Sequence, residues 1–379
     1  MAHLTKPTQY NIEDSNIALL GSDLEKRVRE HSGDAEPAWQ SAGLAPGLQI
    51  WRIENFSVAT WPKDRYGVFY DGDSYIILNT YKKQPDSEEL SYDLHFWLGR
   101  ETSQDEAGTA AYKTVELDDH LHGVPVQYRE VQGHESAHFL AHFPRFICLH
   151  GGVATGFHHV TEAPPEESHR LYEIHLSGSH LVVREVAAEA SSLHQGDVYV
   201  LDKGDKIWQL NTQNSLGKEK FKAAEFVRSL ADARKDACDV TVYEEGGHGA
   251  GIFFAEFGIE GRLHKKPNEG VSDASPRLFR ISDASGQATF EDVEPVSRSS
   301  LSSVDVFLLD NSADPANPGL YVWIGSGSTL NERRLVLEYA QRYLHQRREN
   351  QGSGSVAVSI VKMVQGREPA SFFRALCAS

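Results

Sequence analysis

The chain has 379 residues, more than one ordinary core holds, so two or three domains are expected. Apolar residues make up 40% and charged ones 24%, a balance that excludes wholesale disorder and collagen-like composition. Lys and Arg number 37 against 54 Asp and Glu, a net charge of −17 that argues against nucleic acid and anionic lipid and suits a protein that binds cations.

From the start, MAHLTKPTQYN lacks the charged-then-apolar layout of a signal peptide, and no apolar run reaches the roughly 18 residues of a membrane span. A cytoplasmic protein is expected. Cys148, Cys238 and Cys377 lie far apart in no CxxC pair, so neither a disulfide framework nor a zinc ribbon is expected. Residues 1–47, with helical patterns around NIALLGSDLEKRVREH, read as an N-terminal extension that packs on the first domain or stays mobile.

After residue 47 one pattern runs three times. Each pass opens on an alternating strand: LQIWRIENF, HRLYEIHL and PRLFRISD. A strand follows that starts at an acid, GDSYIILNTY, GDVYVLDKG and VDVFLLDNS, and then one ending near a glycine, DLHFWLG, DKIWQLN and GLYVWIG. A long helix comes next, and the pass closes on a strand, a Gly turn and a short Phe-bearing helix. Runs such as YIIL, VYVL and VFLL alternate too little for half-exposed strands and predict a sheet covered on both faces. In the second long helix, Phe221, Ala224, Val227, Leu230 and Ala231 are predicted to face the sheet; in the third, Val336, Tyr339, Ala340, Tyr343 and Leu344. An α+β architecture follows, with each mixed sheet held between a long and a short helix. The boundaries fall at 48–160, 161–263 and 276–379, with TEAPPEES at the first junction and a linker over 264–275.

Two acids recur. Asp73, Asp197 and Asp305 open the central strands, and Glu106, Glu219 and Glu332 sit at the helix starts. A strand carboxylate with a helix carboxylate offers the hard oxygens that calcium takes. Ser103-x-x-Glu106 and Thr329-x-x-Glu332 are equally capping boxes; no Ser or Thr stands three before Glu219, so capping explains that acid less readily. His134, Glu135 and His138 spell HExxH, which as a zinc peptidase would use two imidazoles and a glutamate base. The equivalent segments of the other passes, GGHGAGIFFAEF and QGREPASFFRAL, mark it instead as a repeat element with a Phe core face. Glycines at GSGS, 325–328, follow a strand but carry no GKS/T phosphate-loop signature.

GLQIWRIENF, YDLHFWLGRETSQDEAGTAAYKTVELDD and VPVQYREVQGHES resemble the first domain of the gelsolin/villin family. The three-domain length resembles its fragmin/severin group. The likeness is most specific in the first domain, good in the second and weaker in the third. It implies three gelsolin-like domains in a calcium-regulated actin-binding protein that severs filaments, caps barbed ends and promotes nucleation, not an enzyme. The alternatives are a calcium-independent actin capping or scaffold protein and the zinc peptidase.

The resemblance also implies site residues. Calcium would take the Gly72 carbonyl, Asp73, Glu106 and the Val153 carbonyl in the first domain. Asp118 with the carbonyls of Gly123 and Pro125 would form a second site there, shared with actin. The second domain would supply Gly196, Asp197, Glu219 and Asp273, and the third the Val304 carbonyl, Asp305 and Glu332. Actin, as monomer and filament, would meet the first-domain helix through Gly108, Tyr112 and Val115 and the second-domain helix through Lys218, Lys220 and Lys222. Phosphoinositide release is not expected, because FPRFICLHGG and EAPPEESHRLYEIHLSGSH carry few basic residues. Secreted members hold a second-domain disulfide; Val198 and Leu210 lie near where its cysteines would be, which implies a cytoplasmic, cytoskeletal monomer. Without calcium the domains are expected to pack together and hide both helices.

Overall fold

The computed structural model describes residues 36–84, 86, 88–153, 169–234, 238–266, 275–282, 289–314, 318–329, 332, 333, 336, 340, 343 and 358–377. The first repeat holds β1 (Gly47–Glu54), β2 (Ser57–Thr60), β3 (Val68–Tyr70), β4 (Ser74–Tyr81) and β5 (Ser91–Leu98). After these come α1 (Gln104–His120), β6 (Val126–Val131), α2 (Ala137–Leu140) and β7 (Phe146–Leu149). The second repeat runs through β8 (Arg170–Ser177), β9 (His180–Val186), β10 (His194–Gln195), β11 (Val198–Asp202) and β12 (Lys206–Asn211). It ends with α3 (Gly217–Ala233), β13 (Asp239–Glu244), α4 (Ala250–Ala255) and β14 (His264–Lys265). The third comprises β15 (Arg277–Ser282), β16 (Thr289–Val293), β17 (Val306–Asp310), β18 (Leu320–Ile324), β19 (Ile360–Val364) and α5 (Ala370–Cys377).

Each central strand is buried on both faces, as its low alternation predicts. In β4, Ile76 and Leu78 enter a core under α1 with Ala110 and Leu117, while Tyr75 and Ile77 enter the opposite core with Phe139 of α2. The period of two divides one strand between two cores. Trp39 and Ala42 complete the α1-side core, with Trp39 edge-on to Trp51 at 5.1 Å, so residues ahead of β1 belong to that packing.

Helix α3 is turned relative to the expected stripe. Ala223, Phe226, Val227 and Ala231 are buried, whereas Phe221 is 64% exposed and Ala224 is exposed. Val227, Leu230 and Ala231 of the expected stripe do pack on the sheet, but in the first turns Ala223 and Phe226 take the places expected of Phe221 and Ala224, a pair with the same spacing of three. In the third repeat, Val336 and Ala340 are buried against the sheet and Tyr343 packs beside them; Tyr339 and Leu344 lie outside the described residues.

The repeats share sheets. Ten strands join in the order β16-β15-β17-β18-β19-β6-β5-β4-β1-β2. The junction pairs β19 antiparallel to β6, with Ile360 opposite Arg129, Val361 opposite Tyr128 and Lys362 opposite Gln127. Val126 and Tyr128 thereby enter the third repeat's core beside Val361, Met363 and Phe372. A seven-stranded sheet, β13-β12-β11-β8-β9-β7-β3, joins β7 of the first repeat to β9 of the second.

Candidate functional site

The first-repeat acids are positioned by the ends of β4 and α1. Asp73 is fully buried one residue before β4; its Oδ1 accepts from the Val153 amide at 2.8 Å, and its Oδ2 from Tyr75 OH at 3.1 Å. Arg52 Nη1 stands 3.4 Å from Oδ2. Burial raises the Asp73 pKa to about 6, against the pull of the Val153 hydrogen bond and Arg52, and the Glu106 charge raises it further. Glu106 is the third residue of α1; Ser103 caps its amide at 3.2 Å, but Glu106 Oε1 is buried without a hydrogen-bond partner. The capping and cation readings therefore coexist on one side chain.

Glycines let the backbone close around this acid. A Cβ on Gly152 would stand 2.5 Å from Asp73 Oδ1, and one on Gly99 would stand 2.1 Å from the Asp71 carbonyl. The Gly99 amide donates to the Asp73 carbonyl at 3.0 Å. The third repeat copies the device: Gly325 donates to the Asp305 carbonyl at 3.1 Å, and its Cβ would meet that oxygen at 2.6 Å. In the second repeat Thr212 Oγ1 donates to the Asp197 carbonyl at 2.5 Å instead. The glycine that closes DLHFWLG and GLYVWIG was the sequence signal for this role.

At the far end of α1, Asp118 is buried with Oδ1 unpartnered, and the Gly123 amide donates to the Asp118 carbonyl at 2.8 Å. That turn, with Gly123 at φ 70°, gathers Asp118 and Gly123 on one loop that runs into buried Pro125. Burial lifts the Asp118 pKa to about 6; Lys362 of the third repeat, 3.8 Å from Oδ2, opposes the rise.

In the second repeat, Lys266 Nζ lies 2.9 Å from Asp197 Oδ2 and 2.8 Å from Glu173 Oε1. Asp197 is raised to about 6 by burial, against Lys266 and reinforced by Glu173. Gly196, at φ 112°, donates to the Gln213 carbonyl at 2.9 Å. Glu219 accepts from the Leu216 amide at 2.7 Å and the Leu176 amide at 3.0 Å, so it caps α3 without the Ser or Thr that a capping box supplies. Asp273 lies outside the described residues. In the third repeat Asp305 is buried with Arg280 Nε 3.6 Å from Oδ2, next to exposed Val304, and Glu332 is bonded to Thr329 in a reciprocal cap.

Four buried aspartates thus share one arrangement. Asp73, Asp118, Asp197 and Asp305 each face an Arg or Lys from elsewhere in the chain: Arg52, Lys362, Lys266 and Arg280. The donor set fits a hard divalent cation, because it is all oxygen and leaves Glu106 Oε1 and Asp118 Oδ1 buried without partners.

The helix faces are more open than expected. Gly108 and Tyr112 of α1 are exposed, Tyr112 by 42%, while Val115 is half-buried. On α3, Lys218 is exposed, but Lys220 pairs with Glu244 at 2.9 Å and Lys222 with Glu225 at 2.6 Å, which offsets the basic stretch. The last turn of α1 meets the third repeat through Asp118 and Lys362. Among the described residues nothing covers Gly108 and Tyr112 of α1 or Lys218 of α3.

The peptidase alternative fails on geometry. Helix α2 spans only Ala137–Leu140 behind the Ser136 cap, so His134 precedes it and does not share a helical face with His138. Glu135, the would-be base, accepts from Trp97 Nε1 at 3.2 Å, the Gly133 amide at 3.1 Å and Arg184 at 3.0 Å. No helix among the described residues is long and apolar enough to cross a membrane.

The gelsolin repeat matches residues 63–140 and 290–373, in the first and third repeats; the third, expected to be the weakest likeness, is matched where the second is not. Gelsolin-like protein 1 of Lumbricus terrestris is 43% identical over 86% of this chain and 87% of its own length. Severin of Echinococcus granulosus is 35% identical over 91% of this chain and 92% of its own. Cytoplasmic gelsolin of Homarus americanus is 39% identical over 89% of this chain, which spans 45% of that longer relative.

Proposed function

The chain belongs to the gelsolin family, and we propose that it binds actin, severs filaments, caps their barbed ends and promotes nucleation under calcium control. It is not an enzyme. Its place of action is the cytoplasmic cytoskeleton.

The observation that carries the calcium part is the pairing of Asp73, Asp118, Asp197 and Asp305 with cations of the chain itself. A guanidinium or ammonium standing against a carboxylate does for it what a divalent ion would do more strongly: it offsets a buried negative charge. Arg52, Lys266, Arg280 and Lys362 therefore hold the acids in the present arrangement. Calcium, when bound, supplies two positive charges to oxygen donors, and the residues placed to hold it are Asp73 with Glu106, Asp118, Asp197 and Asp305. The Gly72, Gly123, Pro125, Val153, Gly196 and Val304 carbonyls, with Glu219, Glu332 and Asp273, complete the proposed ligands.

Lys362 gives the coupling a direction. It reaches Asp118 across the junction at which β19 pairs with β6. Releasing that ion pair weakens the junction, and a ligand shifts an arrangement only by preferring one state over the other. The exposed middle of α1, Gly108 and Tyr112 with Val115 beside them, is the surface proposed for actin, with Lys218, Lys220 and Lys222 of α3 against the filament side. The third repeat blocks by standing beside β6, where its described residues reach the last turn of α1. A partner seated at the Asp118 end of α1 would meet β19.

Filament disassembly followed by pyrene fluorescence, in calcium and in chelator, tests the reading. Calcium-dependent disassembly with a lasting cap is expected; equal activity in chelator removes the switch, and no activity in either removes the actin assignment.

A smaller effect isolates Lys266. Its ammonium is half-exposed, so its hold on Asp197 and Glu173 is worth about 1 kcal/mol. Lys266→Ala should raise calcium affinity at the second repeat by about fivefold, read by calorimetric titration. An unchanged isotherm would mean that the ammonium does not compete for the acids.

A further inference from the structure

The structure assigns a transition-metal site to His95, His138 and His142, separate from every oxygen site above and independent of the calcium reading. One ring nitrogen from each lies within 4.8 Å of the other two. The three come from two elements and the turn after one of them. His95 is central in β5 and fully buried, an unusual place for an imidazole flanked by Leu94 and Trp97 of the cores. Helix α2 seats Phe139 and Leu140 in the core, and this turns His138, before them, and His142, after them, toward His95.

The donor atoms are already close to the separation a metal needs. His142 Nε2 and His95 Nε2 are 3.1 Å apart, and two nitrogens on a tetrahedral zinc at about 2.05 Å stand roughly 3.3 Å apart. Ring centroids are 5.0 Å apart for His95 and His142, 5.3 Å for His138 and His142, and 5.6 Å for His95 and His138. Without a metal, one N–H···N hydrogen bond joins the two Nε2 atoms, its proton standing where a cation would. A soft-to-borderline cation would satisfy both.

Carboxylates stand behind two of the rings, as outer-shell partners of ligating histidines do. Glu130 Oε1 is 3.1 Å from His95 Nδ1, which leaves Nε2 for coordination. Glu130 is itself fixed by the Ser136 amide at 2.8 Å and hydroxyl at 2.7 Å. Asp93 Oδ2 is 3.1 Å from His138 Nε2. The His138 side chain is 44% exposed, which provides both an entry path and an open fourth position. Three imidazoles with an open position suit zinc, cobalt(II), nickel(II) or copper(II), and not calcium.

The location adds a consequence. Tyr128 stacks on His95 at 4.4 Å and reaches into the third repeat's core at the junction of the two repeats. A metal on the three histidines would fix the ring on which this junction residue rests.

The test uses the full chain, stripped with chelator and returned to calcium-saturated buffer, with zinc and cobalt(II) as probes. Wild type should retain one zinc through dialysis beyond the His138→Asn/His142→Asn double variant, and cobalt(II) should give the visible absorption of a tetrahedral ion only in wild type. The subtraction removes the background from the other histidines, and far-UV circular dichroism of the variant guards against loss of fold. Equal zinc retention by the two proteins, or no stoichiometric zinc on wild type, overturns the site. A folded variant that also keeps its cobalt spectrum overturns it equally.

Discussion

Asp73→Asn should lower calcium affinity in the first repeat about 100-fold while leaving the calcium-free fold intact. The two halves of this expectation have separate physical sources. Asparagine has nearly the same shape, and its Oδ1 can still accept from the Val153 amide, which holds the loop at 2.8 Å. Burial already pushes the Asp73 carboxyl up to about 6, so an uncharged group is not penalised there. Arg52 keeps Glu54, with its Nε 2.7 Å from Oε1, when the aspartate charge is gone. A divalent ion, by contrast, loses one of its formal charges, and about 3 kcal/mol corresponds to the 100-fold loss. Calorimetric titration should show one fewer tight site, with the thermal midpoint in chelator near that of wild type. A full complement of tight sites in the variant would remove Asp73 from the calcium ligands.

The sequence carried the strand acids and their glycines because both are local requirements. An acid must open a buried strand, and the neighbouring strand end must approach its carbonyl too closely for a Cβ, as Gly99 and Gly325 do. The two-faced burial of β4, β11 and β17 was legible for the same reason, since YIIL, VYVL and VFLL leave no polar face. The cations opposite the acids were not legible. Lys266 lies 69 residues after Asp197, and Lys362 reaches Asp118 only because β19 docks on β6, so no spacing rule connects them. The first turns of α3 were misassigned because 221 and 224 have the same spacing as 223 and 226, and only the fold shows that Phe226 and not Phe221 meets Tyr172. His95, His138 and His142 were split the same way: only His138 belonged to the HExxH match, His142 lies in the turn after α2, and His95 comes from β5.

The shared sheets make the first repeat a partner of both others. Its β7 continues the second repeat's sheet through β9, and its β6 continues the third's through β19. Arg184 of the second repeat adds an ion pair to Glu135 at 3.0 Å, and Arg367 of the third adds one to Glu89 at 2.8 Å. The apolar part of the second junction is small, because β6 contributes Val126 and Tyr128 to a core otherwise built by the third repeat. A junction built on three residue pairs and two inserted side chains is the kind that a few kcal/mol can open.

Val126→Asp should therefore free the protein from its calcium requirement. Val126 is 5% exposed and lies among the third repeat's core residues, so a carboxylate there would be buried without a dedicated cation. The unpaired charge costs about 3 to 5 kcal/mol while β19 stays docked. Separation of β19 from β6 returns the position to water and removes that cost. The substitution thus penalises the joined arrangement and spares the separated one, shifting their balance by about 100-fold or more. In chelator the variant should show a larger radius of gyration by small-angle scattering than wild type, and should disassemble pyrene-labelled filaments without calcium. A thermal scan showing that the first repeat remains folded separates opening from unfolding. If the variant is expanded and folded yet inactive in chelator, the junction does not gate actin. If it remains compact, Val126 does not hold the junction.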